Sequence, residues 1–462
     1  MDTVTRSNLY RFRDPQALLH PYTDAVENEQ EGALVMARGD GVYVWDETGK
    51  EYIEGMAGLW CVSLGFGNER LAEAAHRQMR TLPFYHGFNR RSHEPQVELA
   101  ERLKALAPVP MARTFFANSG SEAIDTAIKL IWFYNNAIGR PAKKKIVGRR
   151  RGYHGITAAA ASVTGVPANH AGFDLPFPGF LHTDCPHYWR EGRDGETEEE
   201  FASRCADSLE RLILAEGPET VAAFFAEPVM GAGGVIIPPA TYFEKIQRVL
   251  RRYDVLFVVD EVICGFGRTG NFWGSQTFDI EPDLLTMAKA LSSGYLPIAA
   301  VQVNERVYRG IADGTHARGT LGHGFTYSGH PVPAAVALET LAIYDEMDLV
   351  GQVAKTAPHL QNGVRAFADH PLVGEIAGIG MVAVVELVAD KATGRLFDPV
   401  GRVGAYLMGR AEEHGLIVRA LADRAAFSPP LIITEDEIGE MLARFGRALD
   451  DTANWVAEQG LT

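Results

Sequence analysis

Asp260 and Lys289 each follow a short apolar run that is typical of a strand. Both therefore stand at the end of a strand where a sheet would bind a ligand. The run VLFVV at 255–259 is typical of a strand buried on both faces, and Asp260 stands at its carboxyl end. Open α/β sheets bind their ligands at this edge. A second apolar run, DLLTMA at 283–288, leads directly into Lys289. The order of these residues predicts that a lysine and a carboxylate share one site.

That pair suits one chemistry in particular. Burial lowers the pKa of a lysine, and its neutral amine can then attack a carbonyl group. Pyridoxal 5′-phosphate is the common cofactor held by such a lysine, and it needs an acidic partner at its pyridine nitrogen to act as an electron sink. Lys289 and Asp260 therefore predict a pyridoxal-phosphate enzyme, although a lone buried lysine more often forms a salt bridge.

A phosphate site is predicted where a short strand at 113–117 meets a helix at 122–134. The turn between them, NSGS at 118–121, is small and polar. Free backbone N–H groups at a helix amino terminus bind anions, and the helix dipole favours negative charge there. A simple serine N-cap would leave the same sequence pattern. Because the turn precedes the Lys289 stretch, we interpret it as a phosphate site.

These residues belong to a larger set of spaced motifs that covers nearly the whole chain. The set comprises DEV at 260–262, Gly265, Asp283, Lys289, SG at 293–294, NSGSEA at 118–123, YHG at 153–155, EP at 227–228, GFTYSGHP at 324–331 and Arg419. It resembles the class III, or ω-amino-acid, pyridoxal-phosphate aminotransferases. The resemblance implies an α/β protein of fold type I, with a mainly parallel seven-stranded sheet flanked by helices. It also implies a homodimer with active sites at the subunit interface, whose dimers could pair into tetramers.

The resemblance assigns roles to the residues around the cofactor ring. Lys289 would hold the cofactor covalently and would then act as the general acid and base that moves a proton. Asp260 would pair with the pyridinium nitrogen. Val262 and Tyr153 would enclose the ring from its two faces, and His154 belongs to the same cofactor-binding set.

Further cofactor contacts are implied at the phosphate and at the edge of the ring. Gly120 and Ser121 would bind the phosphate. Thr326, preceded by Phe325, would reach the phosphate of the neighbouring subunit. Glu227 would lie near the oxygen side of the ring or support the carboxylate that pairs with the pyridinium.

The substrate side of the site depends on one arginine. By resemblance, Arg419 would clamp a substrate carboxylate bidentately and swing away for a neutral amine. Arg424 lies close by in the sequence and is an open alternative. The implied pocket walls are Leu59, Trp60, Phe88, Tyr153 and Ala232. Such apolar and aromatic walls favour hydrophobic amines. We therefore expect ping-pong transfer of an amino group from an ω-amino acid or hydrophobic amine to pyruvate or a similar 2-oxo acid.

Several other functions were weighed. Residues 265–270 spell G-x-G-x-x-G after a strand, which could bind a nicotinamide dinucleotide, but carboxylates precede it and no periodic helix opens at Gly270. An aminomutase or decarboxylase would keep the same lysine and aspartate, and a catalytically silent binding protein could share the fold. His182 and His187 lie in a loop without a helix to present them, so no metal site is predicted.

Composition bounds the class of protein and its partners. The 462 residues carry a net charge of −15, which argues against nucleic acids and anionic membranes as partners. The basic cluster at 143–151 is interpreted as a solvated surface. Four cysteines without C-x-x-C spacing suit a reducing cytoplasm. No export signal and no membrane-spanning run is evident, so a cytoplasmic location is expected.

The remaining pattern predicts three parts: an arm and small antiparallel meander at 1–65, a large cofactor-binding domain at 66–330, and a small domain at 331–462 that packs with the meander. Helices are expected at 69–81, 94–106, 156–162, 198–214, 239–253 and 332–347, and strands at 145–147 and 221–227. Residues 164–195 are expected to form a long loop. Alternation of strands and helices predicts a mainly parallel sheet with helices on both faces. The expected antiparallel segments of the last part are 373–387, 416–419 and 426–433.

Overall fold

The computed structural model describes residues 9–461. The first eight residues of the predicted amino-terminal arm, and Thr462, lie outside this range. The strands, numbered in chain order, are β1 (Met36–Asp40), β2 (Tyr43–Asp46), β3 (Glu51–Glu54), β4 (Arg113–Ala117), β5 (Lys145–Arg149), β6 (Phe180–Thr183), β7 (Val221–Ala226), β8 (Leu256–Asp260), β9 (Leu284–Met287), β10 (Ala299–Val303), β11 (Val373–Ile379), β12 (Val382–Leu387), β13 (Leu416–Ile417), β14 (Arg419–Leu421) and β15 (Arg424–Phe427).

A seven-stranded sheet forms the centre of the molecule, with strand order β4-β10-β9-β8-β7-β5-β6. The strands from β5 to β9 pair in parallel, and β10 pairs antiparallel with both of its neighbours. Every residue of β7 and β8 is buried, because helices cover both faces of the sheet. The predicted mainly parallel seven-stranded sheet is confirmed.

Helices flank this sheet and begin at the caps that the sequence supplies. Asn68 accepts from the Leu71 N–H at the start of one helix, and Thr197 forms a capping box with Glu200 at the start of another. The longer helices are Ala25–Glu31, Glu69–Thr81, Glu94–Leu106, Gly120–Ala137, Ala158–Val163, Glu198–Glu216, Tyr242–Arg252, Glu305–Arg318, Pro331–Glu346, Leu349–Arg365, Arg402–Glu413 and Glu435–Gln459. Short turns of helix are Tyr10–Arg13, Asp14–Gln16, Ala57–Trp60, Phe88–Arg90, Pro167–Asn169, Tyr188–Glu191, Gly274–Thr277 and Lys289–Ser292.

Two smaller sheets lie beside the large one. The first has the order β1-β2-β3-β13, so the amino-terminal meander takes its fourth strand from residues 416–417. The second has the order β11-β12-β15-β14 and is antiparallel throughout. Strands from the amino-terminal and carboxyl-terminal parts of the chain therefore pair in one sheet. Within residues 9–461, no helix combines the length and the apolar character needed to cross a membrane.

The structure corrects three of the expected elements. The expected antiparallel segment at 416–419 was wrong, because β13 pairs in parallel with β3 and a separate strand, β14, begins at Arg419. The expected loop at 164–195 was wrong at 180–183, where β6 forms the edge of the large sheet. A four-residue strand between proline- and glycine-rich segments carries too little periodic signal to be recognised. The expected segment at 426–433 begins earlier, at Arg424, and ends at Phe427, because prolines 429 and 430 cannot continue the ladder.

Candidate active site

Lys289 lies two residues beyond Met287, the last residue of β9, and its backbone adopts a left-handed conformation with φ 51°. That conformation is costly for a residue with a side chain, so the surrounding contacts must hold it in place. Ser293, with φ 50°, supports the same turn, since its hydroxyl accepts a 2.9 Å hydrogen bond from the Leu64 N–H. Burial lowers the pKa of Lys289, which favours a neutral, nucleophilic amine.

Asp260 ends the neighbouring strand β8, and three groups fix its carboxylate. His154 Nδ1 lies 2.8 Å from Oδ2, the Val262 N–H donates to Oδ1 at 3.1 Å, and the Thr286 hydroxyl donates to Oδ1 at 3.3 Å. Asp260 and His154 are both buried, at 4% and 2% exposure. A buried carboxylate with a fixed orientation is suited to bind a protonated ring nitrogen.

A cavity of about 130 Å³ brings most of the sequence-predicted cofactor residues together. It is lined by Gly120, Ser121, Tyr153, His154, Gly155, Glu227, Asp260, Val262, Ile263, Ala288 and Lys289. Lys289 and Asp260 thus line the same cavity. Tyr153 and Val262 form part of its wall.

The amino terminus of helix Gly120–Ala137 borders this cavity. Ser119 caps the helix by accepting from the Glu122 N–H at 3.2 Å, while the N–H groups of Gly120 and Ser121 donate to no other described residue. Gly155 lies against this terminus, and a Cβ added there would come within 2.5 Å of the Ser121 hydroxyl. The glycine therefore keeps open a cradle that an anion can enter.

These residues fit pyridoxal 5′-phosphate at both ends. Gly120 and Ser121 offer backbone donors for a phosphate, and Asp260 offers a carboxylate for the ring nitrogen. Val262 and Tyr153 supply the walls for a flat ring, and Lys289 supplies the amine.

Glu227 is buried in the wall of the cavity, and its carboxylate holds two backbone groups. It accepts from the Tyr153 N–H at 3.0 Å and from the Gly231 N–H at 2.9 Å. Burial raises the pKa of Glu227, and nearby His154 and Arg149 oppose that rise. The contacts show how Glu227 sets the position of Tyr153 and of the loop that carries Ala232.

Arg419 begins β14 and lies near the cavity without being part of its lining. Its guanidinium carbon lies 5.4 Å from the centre of the Trp60 ring, and it is close enough to Tyr153 and Lys289 for their charges to interact. Burial lowers the pKa of Arg419. Arg424, the alternative arginine, is 2% exposed and forms ion pairs with Glu375 and Glu386 instead. Arg419 therefore lies near the site, whereas the guanidinium of Arg424 is held by two carboxylates elsewhere.

The remaining residues predicted for the site lie outside the cavity lining of this one chain. Leu59 and Phe88 are 53% and 43% exposed, and Thr326 is exposed. Phe325 is half-buried, with its ring centre 5.3 Å from that of His323. Ala232 is half-buried in the loop after β7.

The two competing motifs have other structural uses. A Cβ added at Gly265 would lie 2.9 Å from the Glu261 carbonyl oxygen and 3.1 Å from the Trp273 ring, so this glycine allows the chain to pack closely against the Trp273 ring. His182 bonds to the carbonyl oxygens of Val163 and Thr164 at 3.0 Å. His182 itself lies in β6, whereas His187 follows that strand and bonds to a different partner, Glu375.

Some residues at the site were not found from the sequence. Ile263 and Ala288 line the cavity beside motif residues, and Gly155 of the YHG motif lines it without having been given a role, so the motifs themselves were a signal. Thr286 reaches Asp260 only because β9 pairs with β8, where the two residues are partners. Tyr22, in the amino-terminal arm, lies close to Tyr153, and nothing in its local sequence indicated that.

Comparison with known proteins places this site in a family. The model of the family described as aminotransferase class III matches residues 25–449. A gamma aminobutyrate transaminase 3, chloroplastic, of Solanum lycopersicum is 52% identical over 442 residues, covering 96% of this chain and 85% of that protein. A vanillin aminotransferase of Capsicum chinense is 49% identical and covers 96% of both chains. The crystal structure of an omega transaminase from Pseudomonas jessenii in complex with PMP has a TM-score of 0.96 and 57% identity, covering 97% of this chain and 99% of that one.

Proposed function

This chain belongs to the class III aminotransferases, and we propose that it moves an amino group from a hydrophobic amine or an ω-amino acid to pyruvate or a similar 2-oxo acid. Amino-group transfer with pyridoxal 5′-phosphate follows from the family and from the similar omega transaminase that was crystallised with PMP. What the proposal adds is the class of donor and acceptor.

Each residue that lines the cavity has a separate role in the proposed reaction. When bound, the cofactor supplies an electron sink for the bond that breaks at the substrate carbon bearing the amine. The amine nitrogen of Lys289 is placed to take the proton from that carbon and to return it. Asp260 keeps a proton on the ring nitrogen, while the N–H groups of Gly120 and Ser121 hold the phosphate. Tyr153 and the other walls exclude water from the reacting face.

The position of Arg419 carries the substrate part of the proposal. A guanidinium beside Trp60 and Tyr153 can bind a carboxylate with two parallel hydrogen bonds when a 2-oxo acid enters. When a neutral amine enters, the side chain can stay against the Trp60 ring, where the cation is stabilised by the aromatic face. One pocket thus accepts an acid in one half-reaction and an apolar group in the other.

Removing this arginine tests the proposal. We expect Arg419→Leu to raise the KM for pyruvate at least tenfold, since one charged hydrogen-bonding partner contributes roughly 1.5–3 kcal/mol. The KM for a neutral aldehyde acceptor should change less than about twofold, because no carboxylate is lost. The matched control is Arg38→Leu, because Arg38 also lies over an indole ring, 3.6 Å from the centre of Trp45, on the distant strand β1.

Equal losses with both acceptors would refute the role of Arg419. Consumption of the amine with no acceptor present would favour an aminomutase or a decarboxylase. Steady-state kinetics with one amine donor and each acceptor in turn separates these outcomes.

We propose that the working form is a homodimer whose interface completes the site. Leu59, Phe88 and Thr326 are exposed in the single chain. Phe84 and Tyr327 form an exposed aromatic pair beside them in the sequence, with ring centres 5.6 Å apart. A second copy of the chain would cover these apolar side chains. Light scattering should give a mass of about twice 50.5 kDa, or about four times for a tetramer; a mass of one chain in the active enzyme would refute the interface.

We also propose a cytoplasmic location, in line with the cysteines. Cys61, Cys185, Cys205 and Cys264 are all unpaired. The plant relative described above is chloroplastic, so the compartment is a property to be tested for this chain. Thiol titration of the protein purified without reductant and then denatured should find all of these thiols free. Fewer reactive thiols would contradict a reducing compartment.

A further inference from the structure

A cluster of buried charged side chains joins the second small sheet to the segment that follows β6. Glu375 of β11, Glu386 of β12 and Arg424 of β15 stand side by side on adjacent strands, because the register pairs Glu375 with Glu386 and Glu386 with Arg424. Arg424 Nη1 lies 2.7 Å from Glu375 Oε2 and also bonds to Glu386. From the other side, His187 Nε2 lies 2.9 Å from Glu375 Oε2, and Arg190 Nη2 lies 2.6 Å from Glu386 Oε1.

The cluster is an ion-pair network rather than a metal site. The ligand atoms of His187, Glu375 and Glu386 lie within 4.8 Å of one another, a spacing that could suit a metal ion. The Arg424 guanidinium, however, already bonds to both carboxylates. A cation is therefore present in the chain itself, and the carboxylates are neutralised without a metal.

Arg424 also makes a bond outside the network. Its Nε donates to the carbonyl oxygen of Gly234 at 2.8 Å. Gly234 has φ 125°, and a Cβ at that position would lie 2.9 Å from this Nε, so only glycine leaves room for the contact. Gly234 belongs to the loop that contains Ala232 and is held by Glu227 through the Gly231 N–H. Arg424 therefore connects β15 to the loop at 231–234, which Glu227 of the cavity wall also holds.

The strand that carries Arg419 depends on β15. In the second small sheet β14 is the edge strand, and it pairs only with β15. Arg419 pairs with Ala426, and Leu421 pairs with Arg424 at the turn of the hairpin. β15 is the one strand beside β14 in this sheet, while the preceding β13 and the Ala420 N–H, which donates to Met408 Sδ at 3.0 Å, hold β14 from outside the sheet.

We propose that Arg424 is a positioning residue for the carboxylate of the acceptor. Its ion pairs with Glu375 and Glu386 and its bond to Gly234 fix β15, and β15 fixes the strand that presents Arg419. The position of Arg419 relative to Trp60 then sets how tightly a 2-oxo acid is bound. This inference rests on the proposed role of Arg419. Lysine at position 424 would keep the charge but lose the fork that reaches two carboxylates and a carbonyl at once.

The test compares Arg424→Lys with the wild-type holoenzyme, using pyruvate and a neutral aldehyde as acceptors with one amine donor. A misplaced guanidinium should raise the KM for pyruvate roughly tenfold, since displacements near 1 Å can cost two orders of magnitude. The KM for the aldehyde and kcat should stay within about twofold, because the reacting groups are untouched. Hydrogen exchange at the amides of residues 419–421 should become faster.

The control is Arg410→Lys. Arg410 also bonds to two carboxylates, those of Glu413 and Asp451, but both partners lie on helices and not on the second small sheet. It should leave both KM values and the exchange at 419–421 unchanged. If Arg424→Lys yields no folded enzyme, Glu386→Gln, which removes one of the two ion pairs of Arg424, is expected to give the same preferential loss with pyruvate.

Two results separate this inference from the proposed function. If Arg419→Leu itself leaves the KM for pyruvate unchanged, the proposed role of Arg419 fails. If Arg419→Leu behaves as expected but Arg424→Lys and Glu386→Gln affect both acceptors equally, or neither, the positioning role of Arg424 is refuted.

Discussion

Glu54 provides a quantitative test of how burial acts on this fold. It ends β3, is 6% exposed, and accepts a 2.9 Å hydrogen bond from the Met56 N–H at the start of the turn Ala57–Trp60. Burial raises the pKa of Glu54 from 4.5 to about 7. The folded protein thus holds a proton on Glu54 that the unfolded chain releases.

The sign and size of the effect follow from that difference. As the pH rises from 4.5 to about 7, the unfolded chain loses this proton first, so the free energy of unfolding falls; above pH 7 the loss is complete. A shift of about 2.5 pKa units corresponds to about 3 kcal/mol. The variant Glu54→Gln stays neutral at every pH and avoids that loss.

We therefore expect Glu54→Gln to gain stability relative to the wild type between about pH 5 and pH 8. In a thermal unfolding assay, the difference between the two melting midpoints should change by roughly 2–3 °C between pH 5 and pH 8, in favour of the variant. The matched control is Glu47→Gln, because Glu47 also accepts two backbone N–H groups, those of Tyr10 and Arg11, at 2.8 Å but at an exposed site. If the difference between the melting midpoints of variant and wild type is the same at pH 5 and at pH 8, the burial argument is refuted.

Two further predictions concern the cofactor. Lys289→Ala should abolish turnover and the visible absorbance of the bound cofactor, and normal rates in that variant would exclude Lys289 as the reacting amine. Gly155→Ala should weaken binding of pyridoxal 5′-phosphate at least tenfold. Its Cβ would lie 2.5 Å from the Ser121 hydroxyl, and the backbone there has φ 120°, which favours glycine. The control Gly409→Ala, where nothing lies within 4 Å of the added Cβ, should leave the affinity unchanged. Equilibrium titration of each apoprotein with the cofactor checks this, and equal affinities would show that the cradle tolerates a methyl group.

Much of the fold could be predicted because its signals are local. The helix Glu69–Thr81 has the expected bounds, since Asn68 caps it and its apolar residues recur at helical spacing. The buried strand before Asp260 was evident from its continuous apolar run. The cofactor was predicted from Asp260 and Lys289 together, and the family match confirms it.

Contacts that depend on strand register could not be predicted. Thr286 meets Asp260 because β9 lies beside β8, and the sequence does not give their alignment. The ion pairs of Arg424 require three strands in one particular register. An arginine five residues after Arg419 could therefore be interpreted either as the substrate clamp or as a structural residue, until its partners were known.

The central claim is that one lysine and one cofactor exchange an amino group between two substrates. The most direct test is the absorbance spectrum of the protein with pyridoxal 5′-phosphate, recorded before and after adding a hydrophobic amine, and again after adding pyruvate. We expect a visible band that the amine bleaches and pyruvate restores, as two separable half-reactions require. A protein that gains no visible band with the cofactor, or whose bleached band pyruvate does not restore, would contradict this account.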